Sequence, residues 1–226
     1  MALNFDGGTA SKMTIGATGG ERMKVRLIGL PAHAGMAPEQ GASAITAAGL
    51  AIASLHKDRW LGLVKKQGKQ GTSNLGVIQG GAATNVVAQH LEISMEARSH
   101  DSEFRTAIAD AMQQAFEKAA AQVTSRSGVA VQANVERRVD YESFRLEPGS
   151  EPVALTERAI VAAGGTPQHT ISNGGVDANW LVRHGIPTVT VGCGQRDVHT
   201  TSETLDIAEF LLACDIGRKL IQHAAG

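Results

Sequence analysis

Several short stretches of this chain hold side chains whose types and spacing could do chemistry. Asp6 stands in Leu3-Asn4-Phe5-Asp6-Gly7-Gly8. A carboxylate at a strand end, followed by two glycines, can reach a metal or a ligand while the backbone turns sharply behind it. The plainer reading is a turn aspartate that caps the next element. His33 lies in Pro31-Ala32-His33-Ala34-Gly35. Its small neighbours leave the ring reachable, and an imidazole so placed can donate to a developing oxyanion or take a proton. A solvated surface histidine is the alternative. Asn85 follows Gly80-Gly81-Ala82-Ala83-Thr84, where its amide could hold a carboxylate or a carbonyl, or form a turn. Arg98 ends an alternating segment on the polar side. It could clamp a substrate carboxylate through two parallel hydrogen bonds, or pair with Asp101 or a glutamate.

His199 follows the apolar run 186–191, in the region where ligands of open α/β sheets sit. As a metal ligand it needs an orienting partner, for which Asp177, Asp197 and Glu203 are the available carboxylates. Asn173-Gly174-Gly175 and the Gly80-Gly81 pair are not phosphate loops, because no lysine follows at the required spacing. Cys193 and Cys214 make neither a disulfide framework nor a cysteine-rich zinc site. Cys193 reads as a buried structural thiol rather than a nucleophile.

The elements that must position these groups follow from periodicity. Residues 21–30 alternate Met23, Val25 and Leu27 with charged neighbours, which predicts a half-buried strand stopped by Pro31. Residues 41–56 form an alanine-rich run of helical length. Residues 60–72, with Lys65, Lys66 and Lys69 among glycines, read as a solvated connection. Strands are expected at 73–78, 91–98 and 129–139, and a helix from Asp101 or Ser102 to about Ser125. The order β-α-β-β-α-β is the ferredoxin-like arrangement, with helices on one face and a sheet edge open to extension across a dimer.

After Asp140 the character changes. A linker at 141–150 leads to a helix at 151–163 closed by Gly164-Gly165, a short strand near 170–171, a helix at 177–184, a strand at 186–191 and a terminal helix at 206–223. This is a thin β/α layer. Two short strands do not make a stable domain, so more strands must come from residues 1–20, from a partner or from polypeptide outside this chain.

Composition narrows the function classes. Lysine and arginine number 21 against 22 aspartates and glutamates, a net charge of -1 that gives no case for a nucleic-acid or anionic-membrane surface. No apolar run approaches the roughly 18 residues of a membrane helix, and the first residues are too polar for a signal peptide. The expectation is a cytoplasmic protein.

Taken in order, six pieces resemble the M20 family of zinc-dependent exopeptidases and amidohydrolases, above all its tripeptidase-like branch. They are Phe5-Asp6-Gly7-Gly8, Pro31-Ala32-His33-Ala34-Gly35, Ala83-Thr84-Asn85-Val86-Val87, Glu96-Ala97-Arg98-Ser99-His100-Asp101, Asn173-Gly174-Gly175-Val176-Asp177-Ala178-Asn179, and Gly192-Cys193-Gly194-Gln195 through His199-Thr200-Thr201-Ser202-Glu203. Each is weak alone, and the ordered set is specific. Val176 departs from the Thr or Ser that the family often has.

The resemblance implies an α/β fold in which a ferredoxin-like βαββαβ lid and dimerisation domain, residues 21–140, is inserted in a mostly parallel catalytic domain made of 1–20 and 141–226. It implies Asp6 and His199 as ligands to two different metals, Zn2+ or else Co2+ or Mn2+, with Glu203 in support. His33 is then the lid histidine that reaches the partner subunit's site and polarises the scissile carbonyl. Asn85 and Arg98 hold the substrate's carboxylate end, and Gly174 and Gly175 line the substrate site. In such a site two metals acidify a bridging water, a glutamate takes its proton, and the hydroxide attacks an amide carbonyl.

The family also carries a His-x-Asp motif, a bridging aspartate and a Glu-Glu pair ahead of the position of Asp6. Only five residues precede Asp6 here. The expectation is therefore a truncated catalytic domain whose N-terminal part is absent, weak or absent metal binding, and no activity from this chain alone. The expected partners are a small peptide or N-acyl amino acid, a second copy through the lid, and a missing N-terminal catalytic segment. The alternatives are a non-catalytic dimerisation or ligand-binding module, and a metal-free enzyme using His33 or Cys193.

Overall fold

The computed structural model describes residues 1–225. The chain divides into two compact units, Met1–Gly19 with Tyr141–Gly226, and Gly20–Asp140.

The first unit is built on β1 (Ala2–Asp6), β2 (Lys12–Ala17), β8 (Phe144–Arg145), β9 (Gln168–Ser172) and β10 (Thr188–Gly192). The order is β1-β10-β2-β8, with β9 also on β2. β1 runs parallel to β10 and β2 parallel to β9, whereas β10–β2 and β2–β8 are antiparallel. The sheet is mixed, not mostly parallel as expected. The reason is the connection between β1 and β2: residues 7–11 can only reverse the chain, because a parallel return needs a long crossover.

The expectation of a truncated catalytic unit is corrected here, and of the three sources named for its further strands it is residues 1–20 that supply them. Residues 1–17 supply two strands, and the five-stranded sheet has its own core. Met13, Ile15, Val189 and Val191 are buried with Val153 and Ile160 of α3 (Glu151–Ala162) and Ala213 and Ile216 of α5 (Ile207–Ala224). Asp206 caps α5, accepting from the N–H groups of Ala208 and Glu209. A short helix, α4 (Ala178–Arg183), and a two-stranded ribbon of β11 (Gln195–Arg196) and β12 (Thr204–Leu205) complete the unit.

The second unit runs β3 (Gly19–Ile28), α1 (Ala44–Lys57), β4 (Gly62–Lys66), β5 (Lys69–Gly80), β6 (His90–Ser99), α2 (Ser102–Gln122) and β7 (Gln132–Tyr141), with sheet order β4-β5-β6-β3-β7. Apolar residues at alternate strand positions, such as Val25, Leu27, Ile93 and Met95, are buried with Ala47, Ala51 and Leu55 of α1 and Ile108, Met112 and Phe116 of α2. Ser43 and Asp101 cap the two helices, accepting from Thr46 N–H at 3.2 Å and Phe104 N–H at 2.9 Å.

The stretch expected as a solvated connection is structured. β4 and β5 form a hairpin through Gln67 and Gly68, whose φ values of 52° and 75° are those of a two-residue primed turn. β4 covers β5 only over residues 69–73, so 74–80 form an edge without a strand neighbour on that side among the described residues. On the strands, Arg26 pairs with Glu92 and Glu136, and Lys24 with Glu92. Glu21 is buried and paired with Arg137 at 2.7 Å. Among the described residues no helix is long and apolar enough to cross a membrane.

Candidate active site

In the first unit the end of β1 is stitched to the end of β10. Cys193 N–H donates to Asp6 C=O, Gly8 N–H to Gln195 C=O, and Gly194 N–H to Gly8 C=O, at 2.8–3.0 Å. The approach is so close that a Cβ on Gly192 would lie 2.1 Å from the Thr9 carbonyl oxygen and 2.4 Å from that of Gly8. The Glu209 carboxylate of α5 accepts from Ala10 N–H at 2.7 Å and holds the following turn. Asp6 is thereby fixed at the strand end with one carboxylate oxygen accepting its neighbour's N–H (Gly7) at 2.7 Å.

Asp6 opens into a cleft of about 290 Å³ that Lys12, Thr14, Ser172, Thr190 and Asp197 also line. Hydroxyls run across the strands beneath it: Asn4 Nδ2 donates to Thr190 Oγ1 at 3.3 Å, and the Thr14 and Thr170 hydroxyls are 3.2 Å apart. Lys12 and Ser172 were not singled out by sequence. The only signal for Lys12 is its spacing of two from Thr14, which puts both on one face of β2.

His199 lies just past Val198, which also lines the cleft, on an exposed turn. Its φ is 64° and that of Asp197 is 50°, left-handed values that cost non-glycine residues energy. The turn is held by Glu203, whose carboxylate accepts from His199 N–H at 2.8 Å, and by the Thr200 hydroxyl, which donates to Asp197 C=O at 2.7 Å. Gly174 N–H donates to the Ser172 hydroxyl at 3.1 Å. Gly175 faces Tyr141, whose ring would be 2.5 Å from any added Cβ.

This loop hangs on Asn179, which sequence reading treated only as part of a motif. Asn179 is fully buried. Its amide accepts from Val176 N–H at 2.8 Å and donates to the carbonyls of Thr18 at 3.0 Å and Glu142 at 2.6 Å. A buried polar side chain with its partners supplied is a structural hub.

His33, Asn85 and Arg98 belong to the second unit. Residues 31–41 and 82–88 pair with each other: Ala34 N–H donates to Asn85 C=O and Val87 N–H to Ala32 C=O, both at 2.9 Å, and His33 bridges to Val86. His33 and Asn85 are thus neighbours in the backbone. Arg98 is not with them. Leu91 pairs with Gly80, next to that loop, while Arg98 pairs with Thr72. The seven residues from Leu91 to Arg98 at about 3.4 Å each put it about 24 Å farther along β6. Its guanidinium holds Glu96 through two hydrogen bonds of 3.0 and 2.9 Å.

Among the described residues no three of His, Cys, Asp and Glu come together to hold a metal. A catalytic zinc site takes about three protein ligands, so the donor set of Asp6 and His199 does not fit one by itself.

Residues 15–124 match the peptidase dimerisation domain of the M20 family. Uncharacterized protein YqjE of Bacillus subtilis is 34% identical over 224 residues, covering 99% of this chain and 57% of that protein. The crystal structure of aminopeptidase PepT from Bacillus cereus superposes with a TM-score of 0.83 at 34% identity, covering 99% of this chain and 57% of that one. A tripeptidase from Staphylococcus aureus gives a TM-score of 0.85 at 29% identity, over 98% of this chain and 56% of that one. The chain thus spans a little over half the length of these relatives.

Two expectations are corrected by these alignments: an absent N-terminal catalytic part, and a missing N-terminal catalytic segment as a partner. The matches run over 98–99% of this chain and so take in both units, the one carrying Asp6 and His199 included.

Proposed function

We propose that this chain, which is similar to M20-family exopeptidases and amidases, is a hydrolase of their general class and serves hydrolysis of the amide bond of a small peptide or an acylated amino acid. The observation that carries the reading is Asp6, held by close backbone packing at the mouth of a hydroxyl-floored cleft. His33 and Asn85 act as a pair on the substrate's carbonyl and carboxylate, and Arg98 grips a carboxylate. Asp6 and His199 are this chain's contributions to a metal site for Zn2+, Co2+ or Mn2+. Those two donors fall short of the three protein ligands that a catalytic zinc site takes. On its own the chain is read as binding metal weakly and as inactive.

The test is turnover of a tripeptide and of an N-acyl amino acid by the chain with each of the three metals, beside calorimetric binding of the same compounds. Binding lost in Arg98→Ala and His33→Ala, without turnover, supports the reading in full. Turnover that Asp6→Ala abolishes keeps the hydrolase and sinks the inactivity. Neither binding nor turnover favours the second reading, a dimerisation module, for which the match over residues 15–124 speaks.

In both readings the partner is a second copy. The edge at residues 74–80, which lacks a strand neighbour on the side away from β6 among the described residues, runs beside exposed Val77 and Ile78, the kind of edge that another strand extends. A second copy also removes the 24 Å difficulty (about that distance by strand rise), since His33 and Asn85 of one protomer and Arg98 of its partner can then serve one substrate. Val77→Lys with Ile78→Lys is expected to give monomer by sedimentation where the parent is a dimer. An unchanged dimer moves the interface elsewhere.

A further inference from the structure

We infer that the loop around His33 fixes its imidazole in the tautomer protonated at Nε2, making the ring a one-way hydrogen-bond donor through that atom. The inference deepens the proposed function, resting on the reading that His33 meets the substrate carbonyl.

Two backbone amides carry it. Gly35 N–H and Met36 N–H each donate to His33 Nδ1 at 3.2 Å. A backbone amide has no acceptor to offer in return. Nδ1 therefore receives both bonds on its lone pair, and in the neutral ring the proton sits on Nε2. The turn that supplies the amides is closed on His33 itself, whose carbonyl accepts from Met36 N–H at 3.3 Å and Ala37 N–H at 3.0 Å. The pairing of Ala34 N–H with Asn85 C=O ties the turn to the neighbouring loop. The ring is otherwise exposed, and Nε2 makes no hydrogen bond among the described residues.

The consequence is chemical. An imidazole with hydrogen on Nε2 can meet a carbonyl oxygen and strengthen its bond as negative charge gathers there. It has no bare Nε2 with which to take a proton, so this loop excludes His33 as a general base and selects an acceptor, a carbonyl or oxyanion, as the group it meets. Gly35 and Met36 are positioning residues acting through their amides.

The experiment is a long-range proton–nitrogen correlation spectrum of the full chain with 15N-labelled histidine. It is taken at about pH 8, above the ordinary imidazole range near 6.5, and His33 is identified by the signals missing from His33→Gln. The expected result is an unprotonated-type Nδ1 and a protonated-type Nε2. Gly35→Ala keeps the amide and adds a Cβ at an ordinary 3.7 Å from Cε1, so it should leave the spectrum unchanged. Gly35→Pro removes one donor and should draw the two nitrogen shifts together as tautomers mix, with Met36→Pro as the second variant if the first misfolds. A protonated Nδ1, or averaged shifts in the parent, overturns the inference. So do proline variants that fold and leave the shifts in place. No substrate is involved, so the outcome is independent of the binding and turnover tests, and a failed hydrolase reading shows there and not here.

Discussion

The two units place their chemistry by different physical means. Gly20–Asp140 packs large side chains, Phe116, Met112, Ile108 and Leu55, between two helices and a sheet, and pairs charges along its strands. His33 and Asn85 hang on loops that grip each other, while Arg98 stands on β6. The other unit brings backbone against backbone at Gly192 and ties its glycine loop to one buried amide, Asn179. A side-chain core yields in proportion to the volume removed, whereas a backbone contact has no slack. Approaches as close occur in Gly20–Asp140 too, where a Cβ on Gly29 would lie 2.0 Å from the Ala42 carbonyl oxygen; in the unit with the cleft the approach falls directly behind Asp6, so a small change there should disturb the site itself. Each unit holds one of the two tryptophans, Trp60 and Trp180, so single-tryptophan variants report on them separately.

In the unit with the cleft the largest effect is expected at Gly192. A methyl group there meets two backbone oxygens at 2.1 and 2.4 Å, and neither can move without opening the turn behind Asp6. Gly192→Ala should cost more than about 4 kcal/mol, at the exceptional end for a point change. It should shift the Trp180 unfolding transition and leave that of Trp60 in place. A mild loss would show that the close approach is not what holds Asp6.

Phe116→Ala comes next, at about 3–5 kcal/mol for a fully buried aromatic. Here the Trp60 transition should move while Trp180 stays. If both tryptophans shift equally in both variants, the units unfold as one and the contrast between them fails.

Asn179→Ala leaves Val176 N–H and the carbonyls of Thr18 and Glu142 without their partner. Water reaches some of them, so the expected cost is about 2–4 kcal/mol. Asn179→Asp sharpens the point. It keeps the acceptor for Val176 and loses both donors, so thermal unfolding that matches the parent would mean the two carbonyls do not need the amide.

How much of this was legible in the sequence follows the same division. Strands with one buried face announced themselves: Leu91, Ile93, Met95 and Ala97 alternate with polar residues and are the buried side of β6. Helix starts were legible where a side chain does the capping, as at Asp101 and Asp206. The β4–β5 hairpin was hidden because lysines dominate it and its turn signal is only Gln67-Gly68. β1 and β2 were legible only in outline, β1 as a strand ending at Asp6 and residues 1–20 as one of three sources for further strands; the alternation of Met13, Ile15 and Ala17 is what marks β2. At the site, the identity of Asp6, His33, Asn85 and His199 as reachable polar groups came from motifs. What sequence could not show was distance: that Asn85 sits beside His33 while Arg98 lies at the other end of β6, and that Asn179 is a buried hub. Those depend on register and on which backbone groups lack partners, neither of which has a residue signature.

The smallest expected effect is on the pH dependence of Gly20–Asp140. Asp101 has its carboxyl held below the usual carboxylate range, first by the hydrogen bond from Lys69 and then by that from Phe104 N–H at the start of α2. Glu92 is lowered in the same way by Lys24 and Arg26. A carboxyl whose pKa is lower folded than unfolded adds stability above its unfolded value, near 4, and that stability is lost as pH falls through the folded value. Lys69 is raised by the same pair, so its share is present below about pH 10.4 and lost as pH rises through its folded value. All three side chains are exposed, so the effect should shrink with added salt. Asp101→Asn should flatten the acid limb of the Trp60 stability profile below about pH 4 and leave the Trp180 profile unmoved. A flattened Trp180 profile would mean that charge in the lid-like unit supports the unit with the cleft, and the separation of the two by physical means would have to be given up.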